Sequence, residues 1–322
     1  MKRITFLLSL ATGIFVGCSK DEGASSNDSG GNGPAKVIAY STLTSNNPFF
    51  NVISSNLKAE ANAAGYEVIV VSGDEDAKKQ SDQIKNFIAQ QVAAIVLNPC
   101  DSKSIGPAIE EANKAEIPVF TCDIKCLAPE AKVVSHIASD NLQGGRMAGQ
   151  AMIEALGEAG GKVLVLDKRE VESCLLRVQG FKDVINKHNA TATSKIAIVA
   201  ELPGAGQKIK GRETTQAALQ SYPDLSGIFA INDPSALGAY SALEEAGKAD
   251  QVKIIAFDGQ PEGKRAIKDG KIFADPIQFP DRLGRQTAKT IIAYFEGEDV
   301  PAEQLIPTEL YRQADALNDP EL

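Results

Sequence analysis

Tryptophan is missing from this 322-residue chain, and histidine occurs only at His136 and His188. With so few histidines and no cysteine spacing that completes a zinc pattern, a zinc site of the usual His/Cys kind is argued against, and no other metal or cofactor motif appears. Runs of lysine and arginine are also missing: 33 basic residues face 42 acidic ones, for a formal net charge of -9. Nucleic-acid binding needs clustered cations, so that class of partner is argued against. Beyond the N-terminal apolar run, no stretch is apolar enough to span a bilayer, which argues against a polytopic membrane protein.

The chain opens with Met1-Lys2-Arg3, then "ITFLLSLATGIFVG", then Cys18. A basic start followed by a run too short for a spanning helix reads as an export signal, to be set apart from the fold. Gly17 before Cys18 resembles a bacterial lipobox, with Phe15 departing from the leucine usual at its position, so residues 1–18 are expected to be a lipoprotein signal peptide with lipid on Cys18. Ordinary secretion with a free Cys18 is the alternative. Residues 19–35, rich in Gly, Ser and Asp, have the composition of a disordered tether. The membrane is then reached through the lipid alone. Without Cys18, four cysteines remain, Cys100, Cys122, Cys126 and Cys174, which allow three full pairings. A disulfide is expected ahead of a metal site, with four free thiols as the competing reading.

From Lys36 onward, short β-branched runs alternate with helix-period segments. "VIAYS", "EVIVVSG", "AAIVLNP" and "IPVFTCD" are separated by helical stretches, one of which places Ile84, Phe87 and Ile88 on one face. Near-continuous apolar strands between helices indicate a parallel sheet covered on both sides. The pattern then restarts through "KVLVLD", "KIAIVAEL", "LSGIFAIND" and "VKIIAFDG". About 290 residues exceed what one hydrophobic core usually serves, so two doubly wound α/β lobes with parallel sheets are expected. "GGRMAGQ" lacks the spacing of a phosphate-binding loop and reads as a tight turn entering a helix. His136 reads as a hydrogen-bonded residue in a crossover between lobes.

Ligands of open parallel sheets sit beyond the carboxyl ends of the strands. There the sequence places Asn98, Asp123, Asp167, Asn232, Asp258 and Gln278, and just past the first strand "NNPFF" at residues 46 to 50. Asn46 is the expected helix cap and Pro48 the first helical residue, which leaves Asn47 facing the cleft. Phe49 and Phe50 point about 100° apart on a helix and cannot share one narrow stripe. Carboxylates, amides and rings together suit a polyhydroxylated ligand, whose hydroxyls donate to Asp and whose C–H faces lie against aromatics. Strand-end Asp and Asn also occur merely as turn formers and caps, and only their recurrence favours a site.

These residues, with "STLTSNNPFF", "VVSHIASDN", "FAINDPSALGAYSALEEAGK", "AFDGQPEGKRAIKDGK" and "PIQFPDRLG" in order, resemble the sugar-binding branch of the type I periplasmic binding proteins. The resemblance implies two Rossmann-like lobes joined by a three-crossing hinge, 36–139 with 279–307 and 140–278 with 308–322. It implies that Asn47, Phe49 and Phe50 contact the sugar from the first lobe, with Asp123 binding adjacent hydroxyls. Arg177, Asn232, Asp258 and Gln278 would be the polar contacts of the second lobe, and Phe257 would line the wall.

The function implied is extracytoplasmic capture of a monosaccharide, pentose or hexose, by a monomeric periplasmic lipoprotein that hinges shut and delivers the sugar to the permease and ATPase subunits of an ABC importer. A sensory sugar or polyol receptor feeding a chemoreceptor or kinase is the alternative. A repressor would need an N-terminal helix-turn-helix where this chain has its export signal. A glycosidase would need a carboxyl marked as a general acid, and no such carboxyl is marked, so no enzyme activity is expected. Two departures bear on the sugar: Ile124 stands where the ribose-binding pattern has arginine, with Lys125 one residue later, and Gly206 stands where it has an aromatic ring. They point away from ribose.

Overall fold

The computed structural model describes residues 36–322; the expected signal peptide, tether and lipidation at Cys18 fall outside the described residues. The chain runs β1 (Val37–Thr42), α1 (Pro48–Ala63), β2 (Glu67–Ser72), α2 (Ala77–Ala89), β3 (Ala94–Leu97), α3 (Gly106–Lys114), β4 (Val119–Cys122) and β5 (Ser135–Ser139). It continues through α4 (Asn141–Leu156), β6 (Gly161–Asp167), α5 (Glu172–Thr191), β7 (Ile196–Pro203), α6 (Lys208–Ser221), β8 (Leu225–Ala230), α7 (Asp233–Glu245), β9 (Lys253–Ile255), α8 (Pro261–Lys268) and β10 (Ala274–Ile277). It ends with α9 (Pro280–Phe295), β11 (Glu303–Ile306), β12 (Glu309–Arg312) and α10 (Gln313–Asn318).

Two six-stranded sheets result, ordered β11-β5-β4-β3-β1-β2 and β12-β10-β9-β8-β6-β7. Every pairing is parallel except that between β10 and β12. The apolar strand β3, "AIVL", is buried at every position, as a strand covered on both faces must be. The chain passes between sheets after β5, after β10 and after β11, so both lobes are discontinuous in sequence. Helix α9 packs on α1, β4 and β5 and so belongs to the first sheet's layer.

Two features of the sequence reading are corrected, and one left open is decided. "SHIAS" is a strand, not a connection: β5 is fully buried between β4 and β11, and the crossover is confined to the residues that follow it. Its serines and histidine hide it, yet Ser135 and His136 both find partners, while the Ser139 hydroxyl is buried without one. Ser135 donates to the Pro301 carbonyl at 2.6 Å, and His136 Nδ1 shares a 2.9 Å hydrogen bond with Thr121 Oγ1. Burial pushes the His136 imidazole down to about 4, so it is neutral at physiological pH. Secondly, of the two readings left open for the cysteines the structure has the free thiols, at all four described positions.

Thirdly, Gly144 and Gly145 lie inside α4, whose cap is Asp140 accepting from the Gln143 amide at 2.9 Å. A Cβ on Gly145 would stand 2.1 Å from the Arg177 carbonyl oxygen, and one on Gly180 would stand 2.3 Å from the Leu142 carbonyl. The glycines let α4 and α5 approach backbone to backbone, and that approach presents Arg177 to the cleft. Gly145→Ala forces the helices apart, with an expected loss of about 1–3 kcal/mol in urea-induced unfolding. An unchanged midpoint would show that the contact yields freely.

Candidate functional site

The carboxyl ends of both sheets face one another, and a cavity lies between them, lined from both lobes. Asn47, Phe49, Phe50, Asp123, Arg177, Asn232, Asp258 and Gln278 all line it. Eight strand-end or helix-start residues, distant in sequence, are thus brought to one place. The cavity measures about 60 Å³. At about 10–15 Å³ per water-sized group it has room for roughly four to six such groups, the scale of one sugar ring and too little for a disaccharide.

At the start of α1 the cap is Asn47, not Asn46: the Asn47 side chain accepts from the Phe49 amide at 3.0 Å while its residue also lines the cavity. One side chain near the helix start therefore serves both the helix and the cleft. Phe49 and Phe50 are both buried and meet edge to face, with centroids 5.4 Å apart and planes at 88°. Each ring serves core and cavity wall together, because the first helical turn projects past the end of β1.

Arg177 is the hub of the second lobe. Its Nε donates to Asn141 Oδ1 at 2.8 Å, and Nη1 donates to the Ile231 carbonyl at 2.7 Å and to Asp258 Oδ1 at 3.0 Å. Phe257 does not line the cavity. It lies fully buried behind Arg177, its ring centroid 3.9 Å from the guanidinium carbon, where a cation–π contact holds the cation flat. Asp258 lines the site, while the Phe257 ring before it packs into the core.

Asp258 Oδ1 also accepts from Gln278 Nε2 at 2.7 Å, and Oδ2 accepts from Gln260 Nε2 at 3.1 Å. Asn232 caps α7 through Ser235 N at 3.1 Å and donates its amide to the Gly206 carbonyl at 3.0 Å. Two acceptors are left over: Asp123 Oδ1 and Gln278 Oε1 are buried and unpartnered. Such groups are rare in folded proteins because each costs about 1–3 kcal/mol, and here both belong to residues lining one cavity. Burial lifts the Asp123 carboxyl to about 7 against the pull of Arg177, with Asp258 and Glu172 adding to the rise. Burial also raises Asp258, again opposed by Arg177.

Other strand-end residues serve the frame. Asn98 bridges the Tyr40 hydroxyl and the Cys122 carbonyl behind the site, and Asp167 binds the Lys168 amide at 2.7 Å and Arg169 Nε at 3.0 Å. Lys125 turns away to Glu303 at 2.6 Å, so it does not replace the cation absent at Ile124, which itself lines the cavity.

Lys168 and Glu75 are absent from the sequence reading. They line the cavity from opposite lobes and form an ion pair of 2.8 Å across its mouth, with Gln207 donating to the same carboxylate at 3.3 Å. Gly206 has φ +69°, and a Cβ there would lie 3.5 Å from Lys168 Cδ. The lysine stem thus covers the wall on which no ring stands. Lys168 directly follows a strand-end Asp, and that position is the only sequence signal it offers.

A closed cleft between two wound α/β lobes, with aromatic, cationic and unpartnered acceptor groups inside it, defines a two-lobed binding protein. The chain belongs to the periplasmic binding protein family: the pattern described as "Periplasmic binding protein domain" matches residues 38–299. It is 36% identical over 275 residues to the ribose import binding protein RbsB of Escherichia coli (strain K12), covering 85% of this chain and 90% of that one. It is 31% identical over 284 residues to the D-apiose import binding protein of Paraburkholderia graminis, covering 88% and 89%. Among solved structures, an ABC transporter solute binding protein from Bacillus halodurans with bound myo-inositol superimposes with a TM-score of 0.80 at 26% identity, covering 88% of this chain and 96% of that one.

Proposed function

We propose that this chain is the extracytoplasmic receptor of an ABC-type sugar importer, binding one neutral monosaccharide or polyol between its lobes and handing it unaltered to the permease and ATPase. The observation that carries the reading is the pair of buried, unpartnered acceptors, Asp123 Oδ1 and Gln278 Oε1, on two residues that line one small cavity together with two phenylalanines and an arginine. Sugar hydroxyls supply the missing donors, Asn47, Asn232 and Arg177 bind ring and hydroxyl oxygens, and Phe49 and Phe50 cover an apolar face. Asp123 and Asp258 bring negative charge and Arg177 positive charge, which suits a neutral ligand better than a sugar acid or phosphate. The relatives named for ribose and apiose import and the myo-inositol complex support the class of ligand.

The lobes that close are residues 36–139 with 279–307 and 140–278 with 308–322. The bound ligand favours the closed state, which the Glu75–Lys168 pair spans. The protein acts as a monomer in the periplasm or cell envelope, held by lipid on Cys18. Because Ile124 and Gly206 remove a cation and a ring from the ribose pattern, the preferred sugar is one other than ribose. Calorimetry of the purified chain with D-ribose, D-apiose, D-allose, D-glucose and myo-inositol is expected to show one-to-one binding of at least one, more tightly than ribose. Absence of heat and of any thermal shift across the panel would overturn the reading.

A further inference from the structure

Behind the ligand cavity lie two carboxyls that do not line it, Asp233 in the first turn of α7 and Asp275 in β10, at 1% and 0% exposure. They take hold of consecutive backbone amides. Asp275 Oδ2 accepts from Gly259 N at 3.0 Å, and Asp233 Oδ2 accepts from Gln260 N at 2.6 Å. These are the two residues after Asp258, whose φ of 118° is one that a residue with a side chain seldom adopts and keeps only when held. Each carboxyl leaves its Oδ1 buried without a partner, and the two side chains are within hydrogen-bonding reach of one another. Helix α8 seats directly on Asp233 at Gly263, where a Cβ would stand 2.3 Å from the carboxyl carbon.

We propose that Asp233 and Asp275 share one proton and act together as a clasp that fixes the Asp258–Gln260 turn, so that sugar affinity depends on that buried proton. Two buried carboxylates in contact cannot both ionise, whereas one O–H···O bond between them satisfies both free oxygens and leaves both Oδ2 atoms to hold the amides. Among the described residues, the cations nearest the pair are engaged elsewhere or turned to solvent. Arg177 is engaged by Asp258, and Lys264 of α8 is engaged by Asp319 at 3.1 Å, which also accepts from Tyr311, the β12 neighbour of Asp275. Glu262 and Arg265 of α8 are exposed to solvent. Burial and the charge of Asp258 push both carboxyls upward, Asp275 to about 7. The pair therefore gives up one proton near 7, keeps the shared one above that, and the clasp opens as pH rises through the second, higher step. The proposal rests on the function above only in taking Asp258 as a sugar contact.

The test uses the full chain. Aspartate side-chain carbon shifts are followed by NMR from pH 4 to 10 without sugar, together with amide exchange at Gly259 and Gln260 corrected for its intrinsic pH dependence. In the wild type, Asp233 and Asp275 are expected to ionise in separated steps, both well above ordinary aspartates, with protection at the two amides falling at least tenfold across the upper step. In Asp275→Asn the amide donates permanently to Asp233, so Asp233 ionises at lower pH and protection stays level. Asp233→Asn serves should that variant not fold, and the wild-type titration needs neither. Both carboxyls ionising near 4, or protection indifferent to pH, would overturn the clasp. Calorimetry with the tightest binder among D-ribose, D-allose and myo-inositol is expected to show affinity falling at least tenfold across the same step in the wild type and level in the variant. A level wild-type profile overturns the link to affinity. A clasp that titrates as described in a chain that binds no sugar overturns the functional reading alone.

Discussion

Replacing Arg177 with methionine is expected to destabilise the protein by about 3–5 kcal/mol and to abolish sugar binding, a combination that no rim substitution would produce. Methionine fills much of the same volume and keeps contact with Phe257, so packing loss is small, but the charge disappears. Asp258 and Asp123 are then left buried without their cation, and Asn141 Oδ1 and the Ile231 carbonyl lose their donor. The pH dependence distinguishes this origin from a packing defect. Carboxyls raised in the native state bind more protons there than in the unfolded chain, so they lower stability as pH rises from about 4 through their raised values. Without Arg177 those values rise further, and the deficit of the variant should widen from pH 5 to pH 8 in urea-unfolding measurements. A deficit of the same size at both pH values would mean that Arg177 acts through packing alone.

The double array of strands and helices is legible in the sequence because strands covered on both faces must be apolar throughout, as "AIVL" and "VLVL" are. The site is legible for a related reason. When sheets are parallel, every strand ends on the same side, so polar residues after strands converge on one cleft. What escapes is whatever local pattern does not encode. "SHIAS" looks like a loop until Pro301 and Thr121, on other strands and loops, satisfy Ser135 and His136. Phe257 is adjacent to a cleft residue but packs into the core behind Arg177, where the chain has left the strand and its period no longer tells which way a side chain turns. Lys168 and Glu75 matter through a contact across the closed cleft, and neither lobe's own periodicity carries a trace of it. Gly144 and Gly145 read as a turn because what they make room for, the Phe257 ring and the α5 backbone at Arg177, comes 30 or more residues later.

Asp123→Asn is expected to stabilise the unliganded protein while weakening sugar binding by roughly 10- to 100-fold, because the same carboxylate is a liability in the empty site and an acceptor in the filled one. Asp123 sits at φ 64°, a conformation asparagine adopts as readily as aspartate, so the backbone stays in place. In the native state its carboxyl is buried, raised to about 7 and left with an unpartnered oxygen, and a neutral amide of the same shape removes the penalty of burying the charge. In the complex the carboxylate accepts two hydroxyls, whereas the amide accepts one and offers a donor where the sugar also offers one. Hydrogen bonds to a charged group are worth about 1.5–3 kcal/mol, which sets the expected loss. Since binding favours the ionised form, wild-type affinity should rise with pH up to about 7, and this slope should vanish in the variant. Thermal melting without sugar and calorimetry between pH 5 and 8 read both effects. A variant that melts lower and binds as tightly as the wild type would remove Asp123 from the site and leave its burial without a functional reason.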